Sequence, residues 1–473
     1  MTLWVLVLTL GAAALRLVHL GLKSFWADEA VSITLAEFRW ADFQHFLTHS
    51  EANMALYYVL LRIWSQMSDT PWFVRLFSVL AGVATVPVIY FAGKALFSRR
   101  AGIIAALLLG LNIFHIRYSQ EARSYSLVVL LVTCSSLFFV RNIKSQGRTG
   151  GVLYVLSSAA ALYAHFFAAL VLLAQFVSWM LLPRRLRAWN YVYNQIAIAG
   201  MGFPLLLFIA FRGGSNLDWI SHPTTKDVYR LFTYFSGNGV IFVIFMLSIA
   251  LASRESWLQR RHHRGSSEEW AFVFVALWLL LPVLITLAVS HWKPIFSARF
   301  LLVCLPASLL LFGQGLALIR PNWLGLAVLA GLVCASLIGL RKFYRQPGQE
   351  DWKGAIGYLA QNARAGDGLI FANPYCRFPF DYNLRMSGTR LPPLRLDPGG
   401  AGAARDFAPQ AQRLWVLCGS ESLPKGNVSP REMPGFYLKG TQRFHGADIQ
   451  EFEPVPSPIG SAKAPLSHRP LSH

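Results

Sequence analysis

Two adjacent carboxylates, Asp28 and Glu29, lie one residue after Trp26, close to the end of the first apolar segment of the chain. Tryptophan is enriched where a membrane meets water, so these acids are expected at the level of the lipid headgroups. Membrane proteins keep charges near the bilayer only where the charges are paired or used, and a carboxylate can accept a proton from a hydroxyl group. The pair is a candidate for acid–base chemistry, and a plain solvated acidic loop is the alternative.

A second charged segment contains Arg117, Glu121, Arg123 and Tyr125 and reads HIRYSQEARSY over residues 115–125. The planar guanidinium group of arginine matches the oxygen atoms of phosphate better than any other side chain does. The segment therefore indicates phosphate binding. An ion pair between Glu121 and one arginine, which would merely hold the loop, is the alternative.

Three further segments bring polar groups to the same side of the membrane. The one that carries Glu51 and Tyr57 has aromatic and apolar residues at helical spacing, typical of an amphipathic helix in the interface or of a structural loop helix. His165 separates two apolar runs with almost no loop, where a packed, hydrogen-bonded histidine is the common case. Lys293 and Arg299 precede another apolar run, and they add cations or anchor that run by snorkelling.

The elements that must position these residues are membrane spans. The 473 residues are 55% hydrophobic and 14% charged, and the mean hydropathy is +0.43, whereas soluble domains are about a quarter charged. A span needs roughly 20 apolar residues. We therefore predict an α-helical polytopic membrane protein with about 11 transmembrane helices. The eleven apolar runs are 3–20, 72–97, 101–116, 126–140, 151–165, 167–182, 191–211, 240–251, 270–289, 300–319 and 324–340.

The distribution of charge predicts how these spans are oriented. Lysine and arginine number 43 against 23 acids, and loops on the cytoplasmic side collect such an excess. If the N-terminus is cytoplasmic, the loops on that side carry thirteen basic residues: Arg99, Arg100, Arg141, Lys144, Arg148, Arg184, Arg185, Arg187, Arg254, Arg260, Arg261, Arg264 and Arg320. Cations and acids are about balanced in the opposite loops. Because topology explains the excess, no nucleic-acid partner is expected.

The composition changes after the last apolar run. Residues 352–362 have helical spacing, and residues 369–372 and 414–418 resemble strands between glycine- and proline-rich turns. We predict three parts: a membrane domain over 1–340, a small extracytoplasmic α/β domain over 341–453, and a disordered tail over 454–473 that is rich in proline and serine.

Motifs of several soluble enzyme classes are missing from the sequence. It has no GxxxxGK[ST] phosphate loop, no Asp-x-Asp pair of the kind that holds a metal in soluble nucleotide-sugar transferases, no GxSxG elbow and no HExxH helix. The cysteines show no CxxC or zinc-binding spacing. Any chemistry is therefore expected at the outer face of the membrane, where nucleotide substrates are scarce.

Several short motifs in this order resemble the GT-C superfamily of membrane glycosyltransferases, in particular its family-39-like group. That group includes protein O-mannosyltransferases and lipid A aminoarabinose transferases. The motifs are W-x-D-E within 24–32, residues 51–64 and 75–78, YSQEARSY at 118–125, residues 297–306, and residues 351–353. Family members usually have two prolines before Leu-Tyr-Tyr, where this chain has Met54 and Ala55. The difference concerns the loop on the acceptor side.

The resemblance implies an inverting transfer of a sugar from a polyprenyl phosphate, at the outer face of a bacterial-type inner membrane, to a lipid, polysaccharide or protein acceptor. It implies that Asp28 acts as the base and that Glu29 orients groups beside it. No cofactor is required, although a divalent metal can lie between Asp28 and Glu51, as in some relatives. Membrane lipid and the donor are the expected partners.

The same resemblance assigns the remaining candidates. Donor phosphate is expected to meet the cations, and the acceptor pocket and its surroundings are expected to be polar and aromatic. The phosphate-binding candidates are Arg117, Arg123, Lys293 and Arg299, and the pocket candidates are Trp26, Glu51, Tyr57, Glu121, Tyr125 and His165.

The alternative of a different class is a transporter or flippase of lipid-linked sugars. It predicts charged residues within the spans and two related halves of the chain. The sequence shows no convincing internal repeat, and its acids cluster at one face. A polymerase or ligase that joins whole glycans differs from the preferred function only in the size of the donor.

Overall fold

The computed structural model describes residues 3–145, 148–182, 190–212, 220–237, 239–262, 267–346, 348–396, 411–419, 433 and 435–455. The chain divides into two compact units. The first unit comprises Met1–Lys23 and Asp28–Gln346, and the second comprises Ser24–Ala27 and Pro347–His473. Nearly all of the tail predicted to be disordered lies outside the described residues, which end at 455.

Helices are the regular secondary structure of the first unit within its described residues. Its helices are α1 (Leu3–Leu17), α2 (Ala27–Glu37), α3 (Trp40–His49), α4 (Ala55–Ser65), α5 (Pro71–Leu96), α6 (Arg99–Leu111), α7 (Ile113–Ser119), α8 (Tyr125–Ser145), α9 (Arg148–Ala164), α10 (Ala168–Met180), α11 (Asn190–Arg212), α12 (Thr225–Ser236), α13 (Gly239–His262), α14 (Ser267–Val289), α15 (Leu305–Leu318) and α16 (Asn322–Arg345). A 3-10 helix, Phe300–Cys304, leads into α15.

Each of the eleven apolar runs of the sequence coincides with a helix of this unit. Within the described residues, six helices are long and apolar enough to cross a membrane, and eight spans result if each of two bent helix pairs counts as one. Helices α1, α9 and α10 are apolar but shorter. The predicted helical membrane architecture is confirmed, while the number of eleven crossings stays a prediction.

Glycine allows two of these helices to pack closely. A Cβ atom on Gly93 of α5 would lie 2.6 Å from the Cα atom of Gly102 in α6. Small residues let helix backbones approach in this way, which is a common source of stability inside membranes. The close packing of α5 and α6 fixes the start of the bent segment that follows.

The bend between α6 and α7 arises at Asn112. The two helices meet at 59°, and the Asn112 Oδ1 atom accepts a hydrogen bond from the backbone N–H of His115 at 2.9 Å. An asparagine that caps the next helix in this way stops the previous one from continuing. The bend directs α7 towards residues 120–124, which link α7 to α8.

Arg16 of α1 is fully buried and satisfies backbone groups that the bend leaves open. Its guanidinium group donates to the carbonyl oxygen atoms of Leu109 and Gly110 at the end of α6, and it lies 2.8 Å from the Nδ1 atom of His115. The last carbonyl groups of a helix have no partner within that helix and attract cations. This buried charge is therefore explained by the helix end that it binds.

The second unit is a small α/β domain. Helices α17 (Trp352–Asn362) and α18 (Arg377–Ser387) accompany strands β1 (Gly368–Phe371), β2 (Arg395–Leu396), β3 (Leu414–Gly419), β4 (Phe436–Phe444) and β5 (Ala447–Pro454). The strand order is β2-β1-β3-β5-β4. Strand β1 pairs in parallel with β2 and β3, and strand β5 pairs antiparallel with β3 and β4. Trp352 and Trp415 lie in its apolar core. The predicted sheet domain is confirmed.

Candidate active site

Helix α2 begins at the candidate carboxylates and is fixed by a buried ion pair. Both Glu29 carboxylate oxygen atoms accept hydrogen bonds from Arg75 of α5, at 2.8 and 2.6 Å, and the Glu29 side chain has no exposed surface. Arg75 also donates to the carbonyl oxygen atoms of Leu20 and Lys23. Two parallel bonds to a carboxylate fix orientation as well as distance. Glu29 therefore anchors the first turn of α2.

The other end of α2 is held by Arg62 of α4. Its Nη1 atom donates to the carbonyl oxygen atoms of Ala36 at 2.9 Å and Phe38 at 2.6 Å. A cation at a helix C-terminus satisfies free carbonyl groups and opposes the negative end of the helix dipole. Both ends of α2 are thus fixed to neighbouring helices, and the position of Asp28 is fixed with them.

The Glu29→Gln variant is expected to lower the free energy of unfolding by about 3 kcal/mol, because it leaves the Arg75 charge buried without a counter-charge. Thermal unfolding in detergent measures this loss. The exposed acid Asp42 of α3 offers a control, and Asp42→Asn is expected to cost less than about 1 kcal/mol. Equal losses in the two variants would contradict an anchoring role for Glu29.

The same glutamate positions the loop of residues 120–124. The Glu29 Oε1 atom accepts a hydrogen bond from the backbone N–H of Ala122 at 2.8 Å. On the other side, the Ser78 hydroxyl group donates to the carbonyl oxygen atom of Arg123 at 3.2 Å, and Ser78 also contacts the Tyr57 hydroxyl group at 3.1 Å. The backbone around Arg123 is therefore held from two sides.

Asp28 lies between two arginines that are distant in sequence. Its Oδ2 atom is 3.1 Å from Arg299 Nη1 and 3.6 Å from Arg123 Nη2. The Asp28 side chain is 31% exposed, whereas those of Arg123 and Arg299 are 10% and 20% exposed. One partly open carboxylate thus faces two largely buried cations, which is the charge pattern that an acid–base group beside an anion site requires.

Arg123 is also surrounded by polar oxygen atoms. Its Nη1 atom lies 3.4 Å from the Asp28 carbonyl oxygen atom, the Ser32 hydroxyl group and the Tyr58 hydroxyl group. The guanidinium group lies 5.9 Å from the ring centre of Tyr125, within the range of a cation–π contact. Neighbours on α2, α4 and α8 therefore determine where this cation points.

Glu51 and Asn53 connect the acidic side of the site to His165. The Glu51 carboxylate accepts from the Asn53 backbone N–H at 3.1 Å, and the Asn53 side-chain oxygen atom accepts from the Phe166 backbone N–H at 2.9 Å. Burial raises the pKa of Glu51, while the charge of Arg123 opposes this and the charge of Asp28 adds to it. Glu51 thus belongs to the same electrostatic cluster.

This chain resembles known membrane glycosyltransferases in part of its sequence and in its fold. The family model described as dolichyl-phosphate-mannose-protein mannosyltransferase matches residues 54–211, a third of the chain. The structure of ArnT from Cupriavidus metallidurans bound to undecaprenyl phosphate matches with a TM-score of 0.58 at 12% identity, over 95% of this chain and 98% of that one. No curated protein sequence matches significantly.

A second structure is the Archaeoglobus fulgidus oligosaccharyltransferase AglB in complex with an inhibitory peptide and a dolichol-phosphate. It matches with a TM-score of 0.54 at 11% identity, over 88% of this chain and 69% of that one. At these identities the structures establish the fold, and the family model agrees with that fold. The chain has the fold of the GT-C membrane glycosyltransferases, and its residues 54–211 match the mannosyltransferase family model. The predicted class, a multi-pass membrane glycosyltransferase, is confirmed.

The structure brings half of the twelve candidate residues together. They share one charged cluster or contact it directly, although they come from segments far apart in the sequence. The members are Asp28, Glu51, Arg123, Tyr125, His165 and Arg299. Their individual roles in catalysis stay predictions.

Two predicted phosphate ligands, Arg117 and Lys293, form no ion pair with Asp28 among the described residues. Arg117 pairs with Glu121 at 3.4 Å, one helical turn away, and its side chain is 45% exposed. Burial raises the pKa of Glu121 to about 7, and Arg117 partly offsets that effect. Lys293 is exposed. The alternative for this loop, an internal ion pair, is thus what Arg117 and Glu121 form, and a role in phosphate binding stays a prediction for Arg117 and Lys293.

The aromatic candidates Tyr57 and Trp26 are both buried. Tyr57 is fully buried and contacts Ser78, whereas its neighbour Tyr58 contacts Arg123. Helical spacing alone does not decide which of two adjacent tyrosines faces a site, so the sequence pattern does not separate Tyr57 from Tyr58. Trp26 is buried and belongs to the second unit, so its place in the pocket stays a prediction.

The resemblance allows a divalent metal between Asp28 and Glu51 without requiring one. Among the described residues, no group of three or more His, Cys, Asp and Glu side chains could hold a metal ion. One oxygen atom of Asp28 also faces two guanidinium groups. These residues do not form a ligand set that a divalent cation prefers, and metal binding stays a prediction that no step below requires.

Proposed function

We propose that this GT-C glycosyltransferase transfers one sugar from a polyprenyl phosphate to an acceptor hydroxyl group of a lipid, polysaccharide or protein, with inversion at the anomeric carbon. The observation that supports this most directly is the position of Asp28 between Arg123 and Arg299. ArnT and AglB, which share the fold, were determined with undecaprenyl phosphate and dolichol-phosphate bound. A donor of this kind supplies the anion that the two arginines can bind.

In the proposed reaction, Asp28 removes the proton from the acceptor hydroxyl group. The acceptor oxygen atom attacks the anomeric carbon, and the bond from that carbon to the phosphate oxygen atom breaks. The electron pair leaves with the polyprenyl phosphate, whose additional negative charge is met by Arg123 and Arg299. A positioned base contributes typically 10²–10⁴-fold to such a rate, and fixed cations stabilise the charge that develops on the leaving group.

The position of Asp28 suggests how donor binding and catalysis are coupled. Asp28 is the anion beside both guanidinium groups. A donor phosphate competes with Asp28 for these cations and thereby frees the carboxylate for the acceptor hydroxyl group. The base is in this way released only when the donor has arrived.

The proposal includes a location and an orientation. We place the protein in the inner membrane, with its N-terminus in the cytoplasm and its C-terminal domain outside. Thirteen basic residues then lie in cytoplasmic loops, which agrees with the positive-inside rule. Reporter fusions that are active on only one side of the membrane test this orientation at each terminus.

The direct test uses the purified protein in nanodiscs with synthetic polyprenyl phosphates that carry a hexose, a pentose or an amino sugar. Release of free polyprenyl phosphate, together with a glycosylated acceptor detected by mass spectrometry in cell-envelope extracts, is the expected result. Movement of the intact lipid-linked sugar across a vesicle membrane, without release, would support a flippase instead. A flippase would also be expected to carry charged residues within its spans. The buried charge of Arg16 in α1 is instead explained by its contacts with Leu109, Gly110 and His115.

A further inference from the structure

His165 lies between α9 and α10 and is 1% exposed. Its Nδ1 atom accepts a hydrogen bond from the backbone N–H of Phe167 at 3.2 Å. Because one nitrogen atom of a neutral imidazole accepts and the other donates, the proton must lie on Nε2. That Nε2 atom is buried and has no hydrogen-bond partner among the described residues.

Burying a hydrogen-bond donor without a partner costs about 1–3 kcal/mol. The Nε2–H group of His165 bears this cost although its loop is well packed. The loop itself is firmly held, since Asn53 binds the Phe166 N–H group and the His165 carbonyl oxygen atom accepts from Ala168 at 3.0 Å. The His165 ring lies 6.0 Å from that of Tyr125 and 5.1 Å from that of Phe300. The imidazole therefore sits at a fixed place beside the cationic cluster.

The charged groups that face His165 are cations. Burial lowers the pKa of His165 to about 3, and the charges of Arg123 and Arg299 lower it further. The ring is neutral at physiological pH, and its only lone pair in the ring plane is occupied by the Phe167 N–H group. His165 is thus unsuited to act as a general acid or base, but it is suited to donate one hydrogen bond.

We propose that His165 is a binding residue for the donor, and that its neutral Nε2–H group donates a hydrogen bond to a phosphate oxygen atom held by Arg123 and Arg299. This inference rests on the proposed function. It places His165 on the phosphate side of the site rather than among the groups that line the acceptor pocket. A ligand oxygen atom there would satisfy the donor that the protein itself leaves open.

Two variants separate the two nitrogen atoms of the ring. His165→Asn retains an acceptor near the Nδ1 position for the Phe167 N–H group but lacks the distal donor. His165→Gln places an amide N–H near the Nε2 position but loses the bond to Phe167. If His165 binds phosphate, the asparagine variant is impaired and the glutamine variant is rescued. If His165 only supports the loop, the order is reversed.

The experiment measures the binding of undecaprenyl phosphate, the donor KM, the acceptor KM and the pH–rate profile in nanodiscs. We expect His165→Asn to bind undecaprenyl phosphate about tenfold more weakly, a typical loss for one hydrogen bond to a charged group, and to raise the donor KM to a similar degree. His165→Gln is expected to stay within about threefold of wild type. His222→Asn is the control, since His222 is exposed and contacts the carbonyl oxygen atom of Ser290.

The outcomes distinguish this inference from the proposed function on which it rests. Wild-type protein that neither binds undecaprenyl phosphate nor transfers a sugar would overturn the proposed function. Wild-type activity together with normal phosphate binding by His165→Asn would overturn only the role of His165, as would a change confined to the acceptor KM. Loss of one limb of the pH–rate profile in His165→Gln would assign a titrating role to the ring and also overturn the inference.

Discussion

Asp28→Asn is expected to reduce sugar transfer by about 10²–10⁴-fold, because an amide does not take the proton of the acceptor hydroxyl group. The same variant is expected to bind polyprenyl phosphate at least as tightly as wild type. The reason is that the Asp28 carboxylate pairs with Arg123 and Arg299, whereas a neutral amide competes less with phosphate for those cations. Transfer rates and phosphate binding in nanodiscs measure the two effects separately.

The opposite signs of these two effects make the test specific. A variant that misfolds loses both activities, so thermal unfolding of Asp28→Asn should resemble that of wild type, and the exposed Asp42→Asn variant again serves as the control. Near-normal transfer would remove Asp28 from the role of base. Transfer lost together with weaker phosphate binding would show that Asp28 helps to arrange the arginines rather than compete for them.

The helical architecture could be predicted from the sequence because each membrane helix appears there as a long apolar run. The interruptions were less visible. The bend at Asn112 depends on one side-chain hydrogen bond to the His115 N–H group, and no change in composition marks it. Helix α2 was equally hard to foresee, since its stability comes from Arg75 and Arg62 on other helices rather than from its own sequence.

The candidate site was predictable to the extent that charge near a membrane is rare. Asp28, Arg123 and Arg299 could be selected for this reason, and the structure places both arginines within 4 Å of Asp28 as ion pairs. Side-chain direction was not predictable. Arg117 and Arg123 stand in the same short motif, but only the geometry of the loop shows that Arg117 turns to Glu121 while Arg123 turns to Asp28.

Arg299→Gln is expected to raise the donor KM by about 30-fold, because it removes one charge-assisted hydrogen bond, worth about 2 kcal/mol, from the leaving phosphate. The rate constant for transfer should fall as well, since the charge on phosphate increases in the transition state. Arg299 suits this test because its side chain is partly exposed and its removal leaves Asp28 beside Arg123. Steady-state kinetics with a synthetic polyprenyl phosphate sugar measure both changes.

Arg117→Gln is the matched control, because Arg117 is an arginine of the same predicted face that forms an ion pair with Glu121. Because Arg117 pairs with Glu121 rather than with Asp28, donor KM and rate are expected to stay within about threefold of wild type. Equal losses in both variants would indicate that the whole loop, rather than the Asp28 cluster, binds phosphate. A larger loss in Arg117→Gln would move the donor phosphate to the other end of that loop, and Asp28 would then lose its proposed proximity to the reacting carbon.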